Sequence, residues 1–160
     1  MLSGALGDHS VSNENAREIF KTLRTAQEKH TYFLLAAAGA AIGLAVSQTR
    51  DSPLAWPQIP LGIAVVSWGL SFFSGCRYAD YVAATLYANA ELVRVQSGLH
   101  PKAGSNPEIM GIASEGILEA IEGNNKRASR FARWQFRFLV IGAILYVVWH
   151  VLEMYLHALR

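Results

Sequence analysis

The chain has 160 residues, of which 52% are apolar and 16% charged, with a net charge of +2 and a mean hydropathy of +0.21. Water-soluble domains are nearer a quarter charged, so this composition excludes a solvated, disordered chain and argues against an ordinary soluble domain. One cysteine, Cys76, excludes an internal disulfide.

Residues 1–11 contain Gly, Ser and Asp without a period, and 1–12 are expected to form a mobile tail. Ser12 or Asn13 then offers a helix cap, with Glu14 and Glu18 near the positive end of the helix dipole. From 13 to 30, Ile19, Leu23 and Ala26 share a face while Arg17, Lys21, Arg24 and Lys29 occupy much of the rest, the pattern of a basic amphipathic helix. The polar stretch before the first apolar run does not resemble a signal peptide, so that run is expected to remain as an anchor.

Residues 31–49 carry no formal charge, and neither do 54–76. A spanning helix needs roughly 20 apolar residues, because lipid offers no water to the backbone. These runs predict two membrane spans, the first continuous with the amphipathic helix. Arg50, Asp51, Pro53, Pro57 and Pro60 predict an outer turn over 50–60, with the second helix starting near Leu54 or Leu61.

Past Arg77 the residues Tyr78, Val82, Leu86, Ala90 and Val93 suggest an apolar stripe on a polar helix. A loop covers 98–106, and Asn106-Pro107-Glu108 reads as cap, first-turn proline and first-turn acid. The next helix places Met110, Ala113, Ile117 and Ile121 on one face, and Gly123-Asn124-Asn125 is a candidate break. Residues 77–137 therefore read as a helical hairpin with a basic end, and 138–157 as a third span built on the run 138–152.

Lys and Arg concentrate in 13–30 and 77–137, which predicts a cytoplasmic N-terminus and, with three spans, a C-terminus outside. The three amphipathic segments, 13–30, 78–97 and 107–120, are expected to close into a cytosolic bundle continuous with the spans.

Several groups of residues invite a functional reading. Ala36, Gly39 and Gly43 form a ridge of small residues, as do Ser67, Ser71 and Gly75 at spacing four. Such ridges let helices approach closely in lipid, either between subunits or within one. Lys126, Arg127, Arg130, Arg133 and Arg137, interleaved with Phe131 and Trp134, suit anionic lipid headgroups beside a span, and alternatively RNA or a nucleotide. His150, Glu153 and His157 share a helix face at ligand spacing, or simply end a membrane helix at its interface. Arg94 and His100 have the Arg-x5-His spacing of HEPN-type ribonucleases, with ion pairs such as Arg77–Asp80 and Glu91–Arg94 as the plainer account. No phosphate-binding Gly loop, Ser-His-Asp set or HExxH motif occurs, so no enzyme activity and no cofactor are expected.

The pieces Arg17-Glu-Ile-Phe-Lys21, the span over 31–47, the short turn, the span over 61–75 and Arg77-Tyr-Ala-Asp-Tyr81 with its helical continuation to Val95 together resemble the SLATT family of small bacterial membrane proteins. The resemblance covers about residues 13–98 and implies a pore-forming or membrane-disrupting effector of antiviral conflict systems, gated by a cytosolic protein or a nucleotide second messenger. The third span departs from the family layout. The expectation is an all-α membrane protein of the bacterial inner membrane, with three transmembrane helices extended into a cytosolic helical bundle. It is expected to form a homo-oligomer that contacts lipid and not DNA. Its expected role is a channel-like effector, or alternatively an accessory subunit docking a cytosolic partner.

Overall fold

The structure, a computed structural model, describes residues 4–49, 56–101 and 106–159. Three long helices make up nearly all of them: α1 (Gly4–Thr49), α2 (Ile59–Gln96) and α3 (Pro107–Ala158), with a single 3-10 turn at Trp56–Gln58 leading into α2. Each long helix contains a stretch long and apolar enough to cross a membrane. Among the described residues there is no strand.

The helix boundaries follow from local chemistry, with corrections to the reading above. Helix α1 starts at Gly4, so the stretch taken as a tail is helical and neither Ser12 nor Asn13 is its cap. No proline occurs from residue 4 to 49, and a glycine costs only about 1 kcal/mol in a helix. Residues 50–55 of the expected turn lie outside the described set. Pro60 sits in the first turn of α2, where its missing N–H leaves no carbonyl unpaired. Hydroxyls inside the apolar stretches bond back to their own helix, as Thr31 does to the Gln27 carbonyl at 3.0 Å and Ser74 to that of Leu70 at 2.8 Å.

Helix α2 ends in a Schellman turn. The Gly98 N–H donates to Val95 O and the Leu99 N–H to Arg94 O, each at 3.0 Å, with Gly98 at φ 71°. A side chain in that left-handed region costs roughly 1–2 kcal/mol. Gly98→Ala is therefore expected to lower unfolding stability by about 1 kcal/mol. Denaturant titration in detergent checks this, and an unchanged midpoint would mean the turn can reform without the left-handed residue.

Asn106 caps α3 as expected: its side-chain oxygen accepts from the Glu108 N–H at 3.1 Å, with Pro107 in the first turn. Residues 102–105 of the preceding loop lie outside the described set. Gly123-Asn124-Asn125 does not break α3, which runs unbroken for 52 residues. The polar pair is accommodated across the hairpin, where the Thr85 hydroxyl meets Asn125 Oδ1 at 3.4 Å.

Helices α2 and α3 form an antiparallel hairpin along their whole length. On α3 the most enclosed residues, Ala128, Gln135, Gly142 and Trp149, recur every seven positions. A repeat of seven means 3.5 residues per turn, the period that keeps one seam facing a partner in a left-handed supercoil. Met110, Ala113, Ile117 and Ile121 lie on this same inward side, as read from the sequence. On α2 the seam runs through Leu61, Ala64, Trp68, Ser71 and Gly75 and continues to Val95. The stripe expected beyond Arg77 is therefore wrong in part: Leu86, Ala90 and Val93 are exposed. Steps of four drift off a 3.5-residue seam, which passes instead through Val82, Thr85, Ala88 and Leu92.

Helix α1 lies against α2 through Thr31, Leu34, Ala38 and Ala45. Before Thr31 every described side chain is exposed, Ile19 at 59% among them. The side chains of Arg17, Leu23 and Arg24 lie outside the described residues. Among the described residues, then, the side chains of α1 before Thr31 do not pack on the α2–α3 hairpin, and the three-helix bundle expected at the charged end is not confirmed within one chain. There α2 and α3 already cover each other's seam, and the described Ile19 and Ala26 offer little further apolar area.

The outward faces of the apolar halves are themselves apolar: Val66, Phe73, Ile144 and Val151 are all more than half exposed. Helices apolar on all sides are compatible with a membrane, and a contiguous apolar surface of this extent marks a site covered by lipid or by other protein.

Candidate functional site

The small-residue ridges of α1 and α2 have opposite fates. On α2, Ser67, Ser71 and Gly75 are buried within the chain. The Ser71 hydroxyl donates to the Gln135 carbonyl at 2.8 Å. A Cβ on Gly75 would lie 2.5 Å from Gln135 Nε2 and 2.7 Å from Leu35 Cδ2. A Cβ there would push the Gln135 and Leu35 side chains aside, because both α1 and α3 close on α2 at that level.

On α1, Ala36, Gly39 and Gly43 are exposed, and a Cβ on either glycine would meet nothing within 4 Å. Helix α1 packs through a different row, Thr31, Leu34, Ala38 and Ala45, and leaves its glycine ridge facing outward.

Gln135 was not singled out by sequence reasoning. It is 2% exposed, and its Nε2 has no hydrogen-bond partner. Its signal was the seven-residue row in which the other members are Ala128, Gly142 and Trp149. An amide group held among apolar side chains without a partner costs about 1–3 kcal/mol, so this position is a polar weak point in the three-helix junction.

Farther along the hairpin, Trp68 of α2 lies over Gly142 of α3 and donates its indole N–H to the Leu139 carbonyl at 3.3 Å. Its ring stands 5.8 Å from that of Tyr146, whose hydroxyl meets Gln48 Oε1 of α1 at 2.8 Å. This chain of contacts ties all three helices together and sets α1 parallel to α3.

The basic residues Lys126, Arg127, Arg130, Arg133 and Arg137 are all exposed on α3. Arg127 lies over the Tyr81 ring at 5.9 Å and Arg137 over the Trp134 ring at 5.5 Å. Lys126 pairs with Glu122 one turn earlier at 2.6 Å. That ammonium holds the Glu122 carboxyl below its ordinary value, by hydrogen bond first and charge second, and Lys126 is raised in return. Four of the five, 126, 130, 133 and 137, form one row. Glu115, Glu119 and Glu122 extend that row toward the start of the helix, also exposed. Helix α3 thus carries a stripe that is acidic at one end and basic next to the apolar run.

The remaining candidates do not assemble into chemistry. His150, Glu153 and His157 are exposed, and among the described residues no three metal-ligating side chains gather, so the metal reading is not supported by geometry. Arg94 and His100 converge on one carboxylate: Glu91 accepts from Arg94 Nη1 at 3.3 Å and from His100 Nε2 at 3.0 Å. This holds the residues after Gly98 against the end of α2. Arg77 and Asp80 pair at 3.3 Å.

No protein-family model, curated protein or solved structure matches the chain.

Proposed function

We propose that the chain is a non-enzymatic membrane protein whose three helices self-associate into a channel-like homo-oligomer, in keeping with the resemblance to SLATT effectors. The observation that carries this reading is the open Ala36–Gly39–Gly43 ridge on an apolar helix whose own packing uses another face. In lipid, close backbone approach supplies the association energy that the hydrophobic effect supplies in water, and an unused glycine ridge is suited to it. A single chain of three helices encloses no wet lumen, so conduction requires several copies. Lys and Arg gathered on 13–30 and 77–137 favour a cytoplasmic N-terminus and an outer C-terminus in a bacterial inner membrane. On this reading Lys126, Arg130, Arg133 and Arg137 meet anionic headgroups and the charged hairpin receives the gating signal.

The test is the mass of the detergent-solubilised particle together with the membrane potential of expressing cells. A multimer that depolarises the membrane supports the proposal, and a monomer overturns it. The exposed Leu86, Tyr87 and Val93 on the charged half of α2 favour a second reading, an accessory subunit docking a cytosolic protein. That reading predicts normal membrane potential and a stable complex with the partner.

A further inference from the structure

Helix α2 carries a second heptad row besides the seam it shares with α3. One set of its positions holds Gly62, Gly69, Cys76, Ala83 and Ala90, and the other holds Val65, Phe72, Ala79, Leu86 and Val93. Val65 and Cys76 are half-buried and the rest are exposed, and a Cβ on Gly62 or Gly69 would meet nothing within 4 Å. From Gly62 to Val93 the row keeps the period of 3.5 and the length of a coiled-coil seam. No member is charged, even past Arg77, where Asp80, Glu91 and Arg94 stand among its neighbours in sequence.

Helix α1 supplies a second wall beside this row. The two helices touch where Leu35 of α1 closes on Gly75 of α2. On α1, the exposed Tyr32, Gly39 and Gly43 stand roughly 40–80° around the helix from Leu35. On α2, Phe72 and Cys76 stand roughly 60–100° around from Gly75. Both turns lead away from α3, which is met on the other side through Gln48 of α1 and Ser71 of α2. The glycine ridge of α1 and the second row of α2 therefore line one groove, between α1 and α2 and opposite α3.

We infer that this groove receives the same groove of a second copy, about a two-fold axis along the membrane normal, so that α1 of each copy lies antiparallel on α2 of the other. The inference rests on the oligomeric reading above and names its surface. Leu35 and Gly75 stand level, and the antiparallel helices count away from that pair in opposite directions, so position 38 is level with 72 and position 32 with 78. Ala45 packing with Leu61 and Ala64 agrees with this register. Copies inserted in the same orientation share these heights. Phe72 then falls between Ala36 and Gly39 of the other copy, and Tyr32 between Cys76 and Ala79, so each large ring meets small residues that let the backbones approach. Lipid does not cover the whole row, because Val93 lies about 24 Å along the helix from Arg77. There the same count sets Thr25 between Ala83 and Leu86, and Thr22 between Leu86 and Ala90. Both threonine hydroxyls already donate to their own helix, to Lys21 O and Glu18 O at 2.9 Å, so a neighbour covers them without stranding a donor. The contact is isologous, and its four helices alternate in direction as in an antiparallel four-helix bundle.

Disulfide crosslinking in membranes tests this. Two chains of different tag length are coexpressed, one with its native Cys76 and the other carrying Cys76→Ser and Ala36→Cys. Oxidation with copper phenanthroline joins thiols only where the Cα atoms come within about 7 Å. The expected product is a dimer with one chain of each kind. Moving the thiol by one residue, to Ala37→Cys, turns it about 100° out of the groove and removes the product. Gly69→Leu in both chains, where an added Cβ meets nothing in its own chain, lowers the mixed dimer about tenfold. Gly116→Leu, equally open but on α3, leaves the yield unchanged. A Cys76–Cys76 dimer of the native chain would mean that α2 pairs with α2 and overturns the inference. Cys76 linked to an unrelated protein overturns it too, as do equal yields from Ala36→Cys and Ala37→Cys. A multimeric particle that gives no mixed dimer defeats this pairing alone, whereas a monomeric particle defeats the oligomer itself.

Discussion

Gly142→Ala is expected to destabilise the hairpin by about 2 kcal/mol, the middle of the range for forcing a methyl group into a filled core. The added Cβ would lie 2.5 Å from Trp68 Nε1, 2.6 Å from Cδ1 and 3.0 Å from Cε2. These atoms belong to a rigid ring, so relief requires the whole indole to move. Movement breaks its hydrogen bond to the Leu139 carbonyl and displaces it from Tyr146, which in turn holds Gln48 of α1. One methyl group is therefore expected to loosen all three helices. Thermal unfolding in detergent and the near-ultraviolet signal of Trp68 measure the effect. Trp68→Phe in the same chain should recover part of the loss, because the smaller ring leaves room at Gly142. Gly111→Ala, with nothing within 4 Å of the added carbon, serves as control and should be neutral or slightly stabilising. Equal stability of Gly142→Ala and the parent chain would show that Trp68 does not lie over α3 as described.

The second large effect is on assembly. Gly39→Leu combined with Gly43→Leu should leave the single chain folded, since both positions open onto empty space, and replacing glycine favours the helix by about 1 kcal/mol each. In the proposed oligomer the particle mass in detergent should nevertheless fall to that of a monomer, because two leucines hold a facing helix away from the α1 backbone. Gly75→Leu is expected to do the reverse: it meets Gln135 and Leu35 inside the subunit and should damage the fold itself. A Gly39→Leu, Gly43→Leu chain that remains a full-sized, conducting multimer would remove the α1 ridge from the interface.

The sequence revealed the parts of this fold that depend on near neighbours. Asn106-Pro107-Glu108 announces a helix start because each residue acts within one turn. The uncharged runs announce lengths that cross a bilayer, and the inward row from Met110 to Ile121 follows from spacing alone. Features that depend on a distant partner were not legible. Whether a small-residue ridge is buried or open is decided by which helix lies against it, and both ridges look alike in one dimension. Leu86 and Val93 were placed inward because steps of four approximate a helix over two turns, whereas the true seam has a period of 3.5 and drifts from them over four. Gln135 escaped attention because glutamine between arginines suggests a solvated position, and only the seven-residue row brings it inside.

Helix α2 continues without interruption from Ile59 to Gln96, and α3 from Pro107 to Ala158. Neither contains a proline beyond its first turn, so the paired rods have no built-in hinge between the charged tip and the apolar end. Helix α2 reaches about twenty residues past Arg77, a length near 30 Å, and α3 runs beside it over that whole stretch. Such an arm is a lever: a push of a few ångströms at its free end tilts the buried end through the same angle, without unfolding a turn.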